Sequence, residues 1–349
     1  RTGASVSIVG VGSSGKTNLL QHVLEPETRQ HFLTHEAAAI VPIVVDANLL
    51  GPVPTQTPFD AHSLRCWSLY ELMLHQLYLG LYPFSTLSAE AVEQILRAYR
   101  ALHDGRDPNL AYMALRYFEL AIDTVVRSGI RIVFVFDEFE ETLRRIPGEA
   151  FRALRALRDE HKRSISYTVL ARAPLPVLIT QFGLSAAEIE PFIELFSDDV
   201  LFLGPFSDRD AQRFLNEWNA RYGNPLSPEW LSSIHQLTGG HAGLMRAAFH
   251  HLRDLSAQVT GAVTIDVNKI LASPALLLEA ETIWKGLSPI ERDVLKAVIR
   301  TVSYNNITEE TETAVNLLIR RRLLIVDRQT NTLNIQPPIF AQFLRSREV

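Results

Sequence analysis

The chain has 349 residues, of which 47% are hydrophobic and 21% charged, with a formal net charge of −5. That is apolar enough for packed cores and long enough for two or three domains, which excludes a disordered chain, and the net charge gives no overall attraction to nucleic acid or anionic lipid, although a local basic patch stays open. No apolar run nears the roughly 18 residues a membrane-crossing helix needs, the first residues lack a signal-peptide pattern, and the single Cys66 permits no internal disulfide, so we expect a soluble, cytoplasmic protein with no membrane partner.

Ala4 to Val9 reads as a buried strand and Asn18 to Leu24 as the first turns of a helix. Between them lies Gly10-Val-Gly-Ser-Ser-Gly-Lys16-Thr17, a complete phosphate-binding loop. Gly10, Gly12 and Gly15 permit backbone angles closed to other residues, so successive amides can turn inward around an anion. Lys16 should reach the outer phosphates and Thr17 should offer its hydroxyl to Mg²⁺, while the helix that starts here points its positive dipole end at the ligand. We therefore expect Gly10, Gly12, Ser13, Ser14, Gly15, Lys16, Thr17 and Asn18 to hold ATP or ADP. Arg1 precedes this strand so closely that the chain reads as a fragment or a processed form.

Ile40 to Ala47 reads as a second strand, interrupted early by Pro42, and Gly51 to Pro58, with three prolines and a glycine, as a loop. Helical spacing follows in Cys66 to Leu79, Ala89 to Leu102 and Ala111 to Arg127. Ile132-Val-Phe-Val-Phe136 is then a strand apolar on both faces, as in a parallel sheet, and Asp137-Glu138 emerge at its C-terminal end, where open α/β sheets bind ligands. Asp137 would complete the Mg²⁺ shell, and Glu138 would orient and deprotonate the attacking water. Gly148 to His161 reads as a helix, Ile165 to Leu170 as a strand ending at Ala171-Arg172, and Val200 to Leu203 as the last strand.

From Gly204 the period changes to that of helices: Asp208 to Tyr222, entered through a Ser207-Asp208 cap, then Pro228 to Leu237, Ala242 to Leu255, and a passage from Val263 to Gly286 across Pro274. The final region has a helix to Arg300, a helix from about Glu309 to Arg322, short strands at Leu323 to Asp327 and Thr332 to Gln336, and a closing helix, which is the order of a winged helix. The fold we expect is α/β: a P-loop NTPase core with a three-layer parallel sheet over residues 1–204, a helical lid over 205–286 and a winged-helix domain over 287–349.

The loop at Gly10 to Thr17, the strand with Asp137-Glu138, the strand ending in Arg172, the Leu203-Gly-Pro-Phe-Ser-Asp run, Gly239-Gly240-His241 and the terminal winged helix together resemble the STAND branch of AAA+-related P-loop ATPases, over nearly the entire chain. The resemblance implies a nucleotide-controlled switch that self-associates in one nucleotide state, with effector or sensor domains or partner proteins flanking it. It also implies that Arg172 senses the γ-phosphate and that His241 contacts the nucleotide from the lid, although Ala242 stands where the family's lid turn has proline. ATP is preferred over GTP because no guanine-reading Asn-Lys-x-Asp pattern is present.

An initiator-like or regulatory DNA-binding ATPase shares the same order of modules and is the alternative; a nucleotide-bound scaffold without catalysis is a third reading. DNA is the less favoured partner, because the candidate recognition helix begins Thr308-Glu-Glu-Thr-Glu312, acids that would repel phosphates, and the basic Arg320-Arg321-Arg322 falls at its other end. The apolar stripe of Val315, Leu318, Ile319 and Leu323 favours packing instead.

Overall fold

The computed structural model describes residues 3–52, 60–104, 110–258, 270, 273–300, 308–330 and 332–347. Most of the predicted loop at Gly51 to Pro58 and much of the passage from Val263 lie outside them. Two compact units emerge, one of Arg1–Val9 with Thr17–Leu201 and one of Gly10–Lys16 with Phe202–Val349.

The first unit is built on a sheet of β1 (Val6–Val9), β2 (Ile40–Asp46), β3 (Arg131–Asp137), β4 (Ile165–Ala171) and β5 (Val200–Phe202), in the order β2-β3-β4-β1-β5. The pairs β1/β4, β2/β3 and β3/β4 are parallel. Strand side chains alternate between faces, and the sequence is apolar on both, so each face can bury its own layer. Ile132, Phe134 and Phe136 of β3, with Tyr167 and Val169 of β4, enter a large core with α3 (Ala61–Leu81), α4 (Ala89–Asp104), α5 (Leu110–Arg127), α6 (Phe139–Arg145), α7 (Gly148–Glu160), α8 (Leu175–Phe182) and α9 (Ala186–Ile193). Val133 and Val135, with Leu170, turn to the other face and meet Leu20 and Leu24 of α1 (Lys16–Leu24). This is the expected three-layer arrangement, and it is the fold of P-loop ATPases. The phenol of buried Tyr167 donates to the Leu154 carbonyl at 2.8 Å, satisfying the polar end of a ring held among Phe134, Phe136 and Phe192.

Several details depart from expectation. Pro42 does not interrupt β2, which is the outer strand of the sheet, where proline is tolerated because one side of the backbone has no neighbouring strand. The helix α2 (Pro26–Leu33) has no apolar face to announce it, since none of its residues is buried. Short helices α6, α8 and α9 also fill segments in which no helix was predicted.

The second unit packs α10 (Asp208–Arg221), α11 (Pro228–Thr238), α12 (Ala242–Gln258) and α13 (Pro274–Lys285) with α14 (Pro289–Ile299), α15 (Glu309–Arg320), the antiparallel hairpin of β6 (Leu324–Asp327) and β7 (Thr332–Ile335), and α16 (Pro338–Arg347) around one core. Ser207 caps α10, its hydroxyl accepting from the Asp210 amide at 3.2 Å. Pro274 starts α13 rather than lying inside a longer helix, because the ring suits a first-turn position whose N–H has no helical partner anyway. Leu318 and Leu323 are buried in this core with Val315 and Ile319 against it, so the stripe on α15 is packing surface. Arg321 is buried beside the Glu291 carboxylate, and Glu291 also closes the capping box of α14 with Ser288.

Candidate nucleotide-binding site

The parallel pairing brings the C-terminal ends of β2 and β3 level, with Asp46 opposite Asp137. At that end Thr17, the second residue of α1, donates its hydroxyl to Asp137 Oδ2 at 3.0 Å. The other oxygen, Oδ1, accepts the Glu138 amide at 2.9 Å, which fixes the carboxylate plane. Two adjacent ligands of an octahedral Mg²⁺ at about 2.0–2.1 Å stand about 2.9 Å apart, so a hydroxyl and a carboxylate oxygen at this spacing fit that ion in both donor type and separation.

Glu138 has φ 46°, a left-handed backbone that a residue with a Cβ adopts at a penalty of about 1–3 kcal/mol. Its carboxylate Oε2 accepts from Asn48 Nδ2 at 3.0 Å, and Asn48 is held in turn by its amide on Asp46 Oδ1 at 2.8 Å. Asn48 is a site residue that sequence reasoning missed. The only available signal was its place two residues beyond the acid that ends β2. Arg172, at the end of β4, places Nε 2.7 Å from Glu140 Oε1, and Glu140 is buried. The expected phosphate sensor is thus held by a carboxylate that the sequence reading had not singled out.

In the second unit, the loop curls so that Lys16 Nζ donates to the carbonyls of Gly10 at 2.7 Å and Val11 at 3.1 Å. Ser13 at φ 57° and Gly15 at φ 94° supply the left-handed turns that let consecutive amides face one side. The loop is also packed: a Cβ on Gly12 would lie 2.7 Å from Thr282 Cγ2 of α13, so only glycine permits this approach. At the start of α12, the Gly243 amide donates to the Ser13 carbonyl at 3.0 Å, and a Cβ on Gly243 would sit 2.6 Å from Ser13 Cβ. Two helices of the predicted lid therefore bear directly on the phosphate loop.

His241 is the N-cap of α12, its Nδ1 accepting from the Leu244 amide at 3.4 Å. Burial holds its pKa down to about 4, against the opposing pull of the Glu279 carboxylate and the Gly12 backbone and with a further small push from Lys16, so the ring is neutral at pH 7. It faces the loop from the lid side. Thr282 at Gly12, and Glu279, whose carboxylate lies beside Gly243 of α12 and pairs with Arg246 at 3.1 Å, are further residues that no sequence motif marked. Asn18 lies exposed on α1.

No protein-family model and no curated protein sequence matches this chain. Among solved structures, the chain is similar to the Walker-type ATPase PABY2304 of Pyrococcus abyssi, at a TM-score of 0.53 and 16% identity over 97% of this chain and 90% of that one. It is likewise similar to the ORC2 protein of Aeropyrum pernix in its ADP form, at a TM-score of 0.50 and 12% identity over 99% of this chain and 89% of that one. The likeness covers nearly the full length of both chains, and it shows the fold.

Proposed function

We propose that the chain is a Mg²⁺-dependent ATP-binding switch of the STAND or AAA+-related kind, which hydrolyses ATP slowly and whose nucleotide state governs self-assembly or signalling. The observation that carries this is the Thr17 hydroxyl on the Asp137 carboxylate, with Lys16 and a loop of inward-turning amides immediately before it. The Walker-type ATPase named above, similar in fold, supports the reading by analogy.

The loop amides and Lys16 bind the phosphate tail, and Thr17 and Asp137 supply oxygen ligands. Bound Mg²⁺ neutralises charge on the phosphates. Glu138 takes a proton from water once its carboxylate is free of Asn48, and the strained Glu138 backbone fixes where that carboxylate can reach. Turnover by isolated chains is slow, because a neighbouring subunit completes the site. In this reading Arg172, once released from Glu140, meets the negative charge of the nucleotide.

The switch follows from packing. A ligand shifts an equilibrium only through different contacts in its two states. Here the loop that would hold phosphate also carries Gly243 of α12 and Thr282 of α13. Any rearrangement of Gly12 or Ser13 around a triphosphate must therefore move, or be resisted by, the lid and the winged-helix-like segment that shares its core. The acids at the exposed start of α15, Glu309, Glu310 and Glu312, and the burial of Arg321 weigh against the DNA-binding alternative. The reading is tested by the mass of the chain in solution with ADP and then with a nonhydrolysable ATP analogue. A larger assembly in one state supports it, and identical masses at tens of micromolar chain refute the assembly claim.

A further inference from the structure

Away from the nucleotide site, α3 and α7 bring three metal-ligating side chains to one point. His62 and Cys66 are four residues apart in α3 and so project from the same face, and Glu149 lies in the first turn of α7. His62 Nε2 is 3.0 Å from Glu149 Oε1, Cys66 Sγ is 3.2 Å from the same oxygen, and the three ligand atoms all lie within 4.8 Å of one another. We propose that His62, Cys66 and Glu149 form a zinc site that ties the start of α3 to the start of α7, with water in the fourth position.

The geometry suits that ion. Ligand atoms about 2.0–2.3 Å from a tetrahedral zinc stand about 3.3–3.7 Å apart, so the three atoms need shifts of only a few tenths of an ångström to about one ångström, within the reach of side-chain rotation. The donor set selects among metals: thiolate and imidazole suit zinc, whereas Mg²⁺ and Ca²⁺ take oxygen. Access is open on one side, with the side chains of His62 and Glu149 56% and 49% exposed, while Cys66 is buried in the core behind them. Asp60, the N-cap of α3, adds its negative charge to the field at the thiol. Without metal, the thiol keeps its proton and donates it to Glu149; as the sulfur–zinc bond forms, that proton leaves to solvent.

The test is a zinc titration of the full chain after chelator treatment, read by calorimetry and by metal content after desalting, with cobalt as a spectroscopic stand-in. One zinc per chain is expected, with affinity falling at least about tenfold in Cys66→Ser and in His62→Ala and unchanged in Asp137→Asn, which separates this site from the Mg²⁺ position. Cobalt should give a thiolate-to-metal absorption band that Cys66→Ser abolishes. His62 is exposed, so His62→Ala removes a ligand without opening the core. Zinc content below about 0.1 per chain, or binding that neither His62→Ala nor Cys66→Ser weakens, overturns the proposal.

Discussion

The neutral, buried imidazole of His241 makes the second unit sensitive to acid in a way that can be worked out. Below its ordinary pKa of 6.5 the unfolded chain takes up a proton that the folded chain refuses until about pH 4. Stability is therefore fully present above pH 6.5 and falls as pH drops toward 4. At about 1.36 kcal/mol per unit, the gap is worth about 3 kcal/mol in all, of which about 2 kcal/mol is gone by pH 5. The perturbation is His241→Asn, which keeps an N-cap acceptor for the Leu244 amide and removes the titrating ring. Urea unfolding of both proteins at about pH 7.5 and pH 5 reads the effect, because the carboxylates common to both cancel in the difference. The stability of the parent relative to His241→Asn should drop by about 2 kcal/mol between the two pH values. A difference that stays constant would mean that the ring is not shut away from water against the loop, and the packing of α12 and α13 on the loop would have to be redrawn.

Two further substitutions probe named contacts. Arg321→Met leaves the Glu291 carboxylate buried without its cation and should lower stability by about 3–5 kcal/mol, whereas changing Glu291 to leucine in the same chain should recover part of that loss; a thermal melt in which the double variant is the less stable of the two contradicts this. Asn48→Ala frees Glu138 and should raise ATP turnover several-fold while changing ATP affinity less than about twofold, since Asn48 meets the acid and not the loop; a turnover assay showing no change would make the contact incidental.

The parts of the fold legible in the sequence were those with a long period or a constrained motif. Both faces of Ile132 to Phe136 are apolar, and both are covered; the helix expected over Ala89 to Leu102 runs over Ala89–Asp104. Segments such as Pro26–Leu33 were not legible because a helix that buries none of its residues leaves no periodic trace. In the site, the motif named Thr17 and Asp137, and the structure brings them together. The Asn48 contact to Glu138 depends instead on the β2/β3 register that sets Asp46 beside Asp137, which is a property of pairing and not of either segment alone. Arg320 to Arg322 read as one basic cluster, yet the run straddles the end of α15: Arg320 lies over the Phe202 ring, Arg322 is exposed, and Arg321 turns into the core.

The central claim, that main-chain amides and Lys16 take the phosphate tail, is tested most directly by calorimetric titration of ATP with Mg²⁺ into the full chain and into Lys16→Ala. The account predicts one ATP per chain for the parent and a loss of affinity of at least about a hundredfold in the variant, because it assigns the phosphate charge to the Lys16 ammonium, which the Gly10 and Val11 carbonyls hold at the loop and which alanine removes. Equal affinity in the two proteins would contradict it.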